Sequence, residues 1–188
     1  QTMKHHYSAV YGEVTIRPLE RKDIENLRIW RNDASQTRFL RNIGHITREM
    51  QEKWYEGYLQ DTDSIVFAIE ETKRLKRMVG SLALYNFENG QAEIGRLQVG
   101  DLEARGHGIG GKSFVLAMAV GFKKLGLKRI YASVNRENLA AYKSYTKIGF
   151  QVCGSHASPV DGIEDEIEID EKRWSDKTPY VHEITLFS

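Results

Sequence analysis

The chain has 188 residues, 27 Lys and Arg against 26 Asp and Glu, a formal net charge of +1 and one cysteine. That length suits one domain with a core that stands without staples, and the near-zero charge excludes nucleic-acid binding by bulk attraction. The lone Cys153 excludes an intramolecular disulfide framework or a multi-cysteine metal site and fits a reducing cytoplasm.

No apolar run approaches the roughly 18 residues of a membrane span, and no signal-peptide pattern opens the chain. Residues 1–13 are expected to be an N-terminal extension, with Gln1-Thr2 a remnant ahead of Met3, before a single domain over 14–188. His5-His6 reads as part of a mobile terminus rather than a metal-binding pair. Val14 to Arg17 predicts a strand stopped at Pro18. Ile24, Leu27, Ile29 and Trp30 recur at helical spacing and predict a helix over Glu20 to Asn32. A second helix is predicted after Thr47, its N-cap, with Met50, Trp54, Tyr58 and Leu59 along one face. Ile65 to Ile69 reads as a central strand and Lys73 to Arg77 as a charged turn.

Asn89-Gly90 is a type I′ hairpin signal, so Met78–Tyr85 and Ala92–Val99 should pair antiparallel. A helix apolar nearly all round, hence buried, should end near Leu125 before a left-handed cap at Gly126. Arg129–Val134 predicts a strand, Asn138–Ile148 a helix, and Phe150–Ser155 and Glu183–Phe187 two further strands. Asp161 to Glu171 holds seven acidic residues among eleven. It is expected to be a solvated loop; the functional alternative is an acidic lip that attracts a cationic amine.

Arg105-Gly106-His107-Gly108-Ile109-Gly110-Gly111-Lys112-Ser113 is a glycine-rich turn opening a helix, a natural anion site. Gly106 to Ser113 fits the nucleotide P-loop G-x-x-x-x-G-K-[ST], and Arg105 to Gly110 fits R-x-x-G-x-G. A P-loop follows a buried strand of a parallel sheet. Here Asp101 to Arg105 make a poor strand, the strand before them is half of an antiparallel hairpin, and Val134-Asn135 ends the next strand without an acid to hold magnesium. The surroundings therefore favour the second pattern.

Arg105 to Gly110 resembles the pyrophosphate loop of the GNAT acetyltransferases. Val134-Asn135-Arg136-Glu137-Asn138, followed by the run Leu139 to Phe150 with Tyr145, Lys147, Gly149 and Phe150, strongly resembles the segment of that family in which a strand end with asparagines leads to a tyrosine-bearing helix. Ala92-Glu93-Ile94-Gly95 resembles the start of its fourth strand. The three matches are in register and cover Ala92 to Phe150.

This resemblance implies an α/β fold, a central mixed and mostly antiparallel sheet of six to seven strands flanked by about four helices. It implies N-acetyl transfer from acetyl-coenzyme A to a primary amine by direct attack in a ternary complex, with no metal. The pyrophosphate would lie on the amides of Gly106, His107, Gly108, Ile109, Gly110 and Gly111, with Arg105 and Lys112 adding charge. The pantetheine arm would follow Leu97, Gln98 and Val99, a free N–H near Val99 stabilising the oxyanion. Asn138 would bond the coenzyme or cap its helix. Glu93 is nominated as the base, on the same face as Leu97 and Val99 if no bulge intervenes. Tyr145, with Tyr142 as the fallback, would protonate the departing thiolate, and Cys153 would be a core residue.

In this family the two helices after the first strand wall the acceptor site. Here they carry Trp30, Arg31, Asn32, Phe39, Trp54, Tyr55 and Tyr58, with Arg28, Arg38 and Arg41 nearby. Aromatic faces and guanidinium groups suit a flat or phosphorylated acceptor such as a nucleotide-linked amino sugar. Trp30-Arg31-Asn32 and Lys53-Trp54 resemble enzymes of that kind. Ile16-Arg17-Pro18-Leu19 resembles the branch acting on ribosomal-protein N-termini, and the acidic run points to a polyamine or aminoglycoside. The expected partners are a small-molecule or N-terminal amine and a second copy in a homodimer, with no nucleic acid and no membrane, in the cytoplasm. Two other readings stay open: a P-loop nucleotide-binding protein or kinase, and a GNAT fold that binds coenzyme A without catalysis.

Overall fold

The computed structural model describes residues 3–36 and 44–188, and within them nine strands form one mixed sheet. In chain order these are β1 (Ser8–Tyr11), β2 (Val14–Pro18), β3 (Ser64–Glu71), β4 (Arg77–Glu88), β5 (Gln91–Val99), β6 (Arg129–Asn135), β7 (Gln151–Ala157), β8 (Ile163–Ile169) and β9 (Thr185–Phe187). They lie in the order β7-β8-β6-β5-β4-β3-β2-β1-β9. Every neighbouring pair is antiparallel except β5–β6. Five helices cover the sheet: α1 (Ile24–Asn32), α2 (Arg48–Gln60), α3 (Ile109–Ala119), α4 (Leu139–Ile148) and α5 (Glu171–Lys177).

A strand covered on both faces has to be apolar throughout, and β3 is. Phe67 and Ile69 enter the larger core on one side, Val66 and Ala68 the smaller one on the other. Helices α1 and α2 close the smaller core over Leu19, Ile24, Tyr55, Tyr58 and Ala83. Helix α3 is buried without a break from Ser113 to Ala119, as its lack of a polar face requires. It runs into a π-turn over Val120–Lys124 and stops at Gly126, φ +68°. Thr47 caps α2, its hydroxyl accepting from the Met50 amide at 3.1 Å. Asn89 and Gly90 both have positive φ, +50° and +75°, as the hairpin requires. Among the described residues no helix is long and apolar enough to cross a membrane.

The sheet has nine strands, not six or seven, because β1 and β8 are added to those predicted, and α5 is a fifth helix. Ser8–Tyr11, expected within an N-terminal extension, sits between β2 and β9. The acidic run is not a solvated loop: Ile163–Ile169 pairs with β6 on one side and β7 on the other. Ile167 and Ile169 point inward, while Glu164, Glu166 and Glu168 stay partly solvated against His156 and Arg129. Asp165 is buried but paired with Arg136 at 2.9 Å. Cys153, expected in the core, is exposed on the edge strand β7.

His5 is buried rather than mobile. Its Nε2 donates to the Val66 carbonyl at 3.0 Å and its Nδ1 accepts from the Tyr7 amide at 3.1 Å. Burial lowers its pKa from 6.5 to about 4. The unfolded chain takes up a proton near pH 6.5 that the fold refuses until about pH 4. This contribution to stability is therefore complete above pH 6.5 and is lost as pH falls through that window, by about 2 kcal/mol at pH 5. Urea unfolding at pH 7 and pH 5 should show a steeper loss for the wild type than for His5→Gln; equal slopes would exclude His5 as the titrating group.

Candidate active site

The site is a wedge in the sheet. β5 and β6 pair only over Gln91–Glu93 and Arg129–Tyr131. Beyond that the strands diverge, and β5 from Ile94 to Val99 has no strand partner on that side. The N-terminus of α3 stands at this opening. Its loop turns through left-handed backbone at Gly106 and Gly108, φ +81° and +74°, where a side chain would be strained. Gly108 is the N-cap, and the first helical bond runs from the Lys112 amide to the Gly108 carbonyl at 3.1 Å. The amides of Ile109, Gly110 and Gly111 are thus the first-turn donors left for an anion. A Cβ on Gly110 would stand 3.3 Å from Leu97 and 3.8 Å from Val99, so those two side chains face α3.

Arg105 and His107 are exposed, and the Arg105 side chain turns back to the Val99 carbonyl (3.0 Å) and Gln36 (2.7 Å). The two residues that complete the P-loop pattern face elsewhere. Lys112 pairs with Glu13 at 2.7 Å, and the fully buried Ser113 hydroxyl donates to the Ile109 carbonyl at 2.7 Å.

Helix α4 brings Tyr145 alongside. Asn138 caps this helix, its Oδ1 accepting from the Ala141 amide at 3.3 Å. The Tyr145 ring stacks on Phe114 of α3, centroids 4.6 Å apart and planes 3° from parallel. No described residue hydrogen-bonds its hydroxyl, and burial pushes its pKa up to about 12. Tyr142 faces Asp165 instead, and burial and then that carboxylate raise its pKa.

Glu93 does not share a face with Leu97 and Val99. Ala83 of β4 lies opposite Gly95 while Ser81 lies opposite Gln98, so β5 carries one extra residue, a β-bulge. Alternation slips there by one. Glu93, Gly95 and Gln98 face α1 and α2; Leu97 and Val99 face α3. The bulge holds Arg96 at φ +53°, a backbone that costs a non-glycine residue about 1–2 kcal/mol. Glu93 accepts from the Tyr85 hydroxyl and from Asn86 Nδ2, each at 3.1 Å. Burial and then Glu93 raise the pKa of Tyr85, and the Arg96 guanidinium lies 3.9 Å from the centre of its ring.

On this face a cavity of about 580 Å³ opens between α1, α2 and β4–β5. Arg31, Gln51, Trp54, Ser81, Arg96 and Gln98 supply its polar lining and Leu27, Ile46, Met50 and Leu97 much of the rest. Trp54 is 40% exposed and stacks on Tyr58 at 5.4 Å. Burial lowers the pKa of Arg31. Gln98, expected to serve the coenzyme, lines this cavity, and its Nε2 is enclosed with no hydrogen-bond partner among the described residues.

Of the residues expected to hold the acceptor, Arg31 and Trp54 reach the cavity, while Trp30 and Asn32 do not line it. Trp30 packs on Gly100, where a Cβ would overlap the indole. Asn32 exchanges two 2.8 Å bonds with the backbone of Ile46 and closes the connection between α1 and α2. Tyr55 and Tyr58 belong to the smaller core, and Arg28 binds Glu25. Phe39, Arg38 and Arg41 lie outside the described residues. Sequence reasoning missed Arg96, Gln51, Ser81 and Tyr85; the available hint was a charged residue after a glycine inside a strand, which marks a bulge. Among the described residues no group of three or more His, Cys, Asp or Glu is placed to hold a metal ion.

Residues 13–151 match the model of the acetyltransferase (GNAT) domain family. The spermidine N(1)-acetyltransferase of Escherichia coli K12 is 29% identical over 141 residues, 75% of this chain and 74% of that protein. The crystal structure of spermidine N-acetyltransferase from Vibrio cholerae with CoA and spermine superposes with a TM-score of 0.78 at 21% identity, covering 87% of this chain and 98% of that one. An uncharacterised protein of Bacillus halodurans gives 0.77 at 16% identity, covering 94% and 96%. The structural likenesses show the fold; the family match, across most of the chain and both sides of the wedge, shows the membership. The chain belongs to the GNAT acetyltransferase family: it is an acyltransferase whose co-substrate is acetyl-coenzyme A.

Proposed function

We propose that the wedge between β5 and β6 is the transfer site and that the acceptor amine enters from the cavity walled by α1 and α2. The observation carrying this reading is the juxtaposition of three features: the edge of β5 beyond Glu93, the first-turn amides of α3, and the Tyr145 hydroxyl, which has no partner among the described residues. Acetyl-coenzyme A supplies an acetyl group already activated as a thioester. The first-turn amides of α3 hold its pyrophosphate, and an edge amide near Val99 stabilises charge on the carbonyl oxygen. Glu93, at the base of the wedge on the cavity face, takes the ammonium proton directly or through a water. Tyr145 donates a hydrogen bond to the departing sulfur. The acceptors this reading admits are those open from the sequence: a nucleotide-linked amino sugar, a protein N-terminus or another small amine.

Acetyl-coenzyme A at about a hundred times its Kd should stabilise the protein by about 2.7 kcal/mol, a rise of roughly 5–10 °C in Tm. ATP with magnesium should leave Tm unchanged. Stabilisation by ATP–magnesium and none by acetyl-coenzyme A would overturn the assignment and restore the P-loop reading.

A further inference from the structure

We infer that the acceptor carries an oxyanion, a carboxylate or a phosphate, which Arg96 and Arg31 hold together with the Gln98 amide on the cavity wall. This rests on the transfer site proposed above and narrows the acceptor class.

The polar lining of the cavity is made of two guanidinium groups, two carboxamides, an indole and a hydroxyl, with no carboxylate among the described residues. Arg96 has no carboxylate within ion-pair distance among the described residues; its contact is the face of Tyr85. A guanidinium stacked on a ring keeps its N–H edge available for a forked bond to an oxyanion. Gln98 supplies a buried donor that no described group accepts, and leaving such a donor unmet is costly. Arg31 stands on the same wall and adds a second positive charge to it.

The backbone supports the same reading. At φ +53° glycine or asparagine fits better than arginine, yet arginine stands at the bulge with its charge on the cavity. An unfavourable conformation at a ligand wall points to a role for the side chain. A polyamine is protonated on its nitrogens at pH 7 and would meet like charge here. The acidic strand β8 does not alter this, because its carboxylates are held by Arg129, Arg136 and His156 and do not line the cavity.

Matched amine pairs test the inference. Thiol release from acetyl-coenzyme A would be followed with 4-aminobutyrate against putrescine and with glucosamine 6-phosphate against glucosamine. The anionic member of at least one pair should show kcat/KM about tenfold or more above its counterpart, and which pair responds tells carboxylate from phosphate. R96A should abolish the preference, mainly through the acceptor KM, with the acetyl-coenzyme A KM unchanged. R96G relieves the left-handed backbone, so it should fold at least as well and still lose the preference, while R96K should retain part of it. Preferred turnover of putrescine and glucosamine, or a preference untouched in R96G, would overturn the inference. Should no amine release thiol, the transfer reading fails separately. The comparison is then read as the shift in Tm that each amine produces beside coenzyme A: equal shifts within both pairs overturn the anion site, and a shift confined to the anionic member and absent in R96G supports it.

Discussion

Tyr145→Phe is expected to lower kcat by about ten- to a hundredfold while leaving the KM for acetyl-coenzyme A within about twofold. The size follows from the environment of the phenol. Its pKa is pushed up to about 12, whereas a thiol ionises near 8.5. Complete proton transfer to the leaving sulfur is therefore uphill by roughly 3–4 pKa units, about 5 kcal/mol. On the proposed reading Tyr145 would instead donate a hydrogen bond to developing thiolate charge, a contribution of about 1.5–3 kcal/mol. Phenylalanine keeps the ring on Phe114, so the fold and the coenzyme loop should be unaffected. Steady-state kinetics with the preferred amine, beside thermal unfolding of the variant, decides it. Undiminished turnover would remove Tyr145 from the reaction, and a thousandfold loss would show that it transfers the proton outright.

The largest effect on stability is expected at Trp174. This side chain is 1% exposed, lies 5.6 Å from the Phe122 ring and donates its indole N–H to the Val115 carbonyl at 3.3 Å. It is the one buried residue of α5 and ties that short helix to α3. Trp174→Ala should cost about 3–5 kcal/mol through the cavity it leaves, a fall in Tm of roughly 10 °C. Trp174→Phe should cost less than half as much. Urea unfolding measures both, and a loss under about 1 kcal/mol for the alanine variant would mean that α5 closes over the gap.

Residues 13–151 carry the family match, and Trp174 lies beyond them. What could be read from the sequence follows that boundary only in part, since β7 and β9 were predicted at and beyond it. Helices α1 to α4 and seven strands declare themselves by local signals: the Thr47 cap, the Asn89-Gly90 turn, the apolar runs of β3 and α3. Strand β1 is four residues long and exists only because β2 and β9 flank it, a long-range contact without local signature. β8 alternates isoleucine with glutamate as a half-buried strand should, but its carboxylates suggest a loop until Arg129 and Arg136 are seen beside them. α5 offers a single apolar residue in seven, too few for a period.

At the candidate site, the glycine turn opening α3 and the helix that carries Tyr145 were legible as structure because their signals are local. Glu93 was legible as a residue but not in its orientation, since a bulge is defined by the partner strand and not by β5 alone. Trp30 and Asn32 sit in a recognisable cluster, yet both spend their contacts on backbone, at Gly100 and Ile46.

The bulge gives β5 one residue more than β4 can match, and the side chain it adds is that of Arg96. On the proposed reading Arg96 and Gln98 stand on the acceptor wall, Val99 faces the glycine turn, and Leu97 borders both the cavity and α3. Substitutions at Arg96 and Gln98 should therefore alter the acceptor wall without disturbing Val99 against α3. Deleting the extra residue would restore unbroken alternation against β4 and leave Leu97 opposite Leu82 and Gln98 opposite Ser81, each on its present face, so the loss would be confined to the Arg96 side chain. The bulge thus adds a charged side chain to the acceptor wall at no cost to the face that packs on α3.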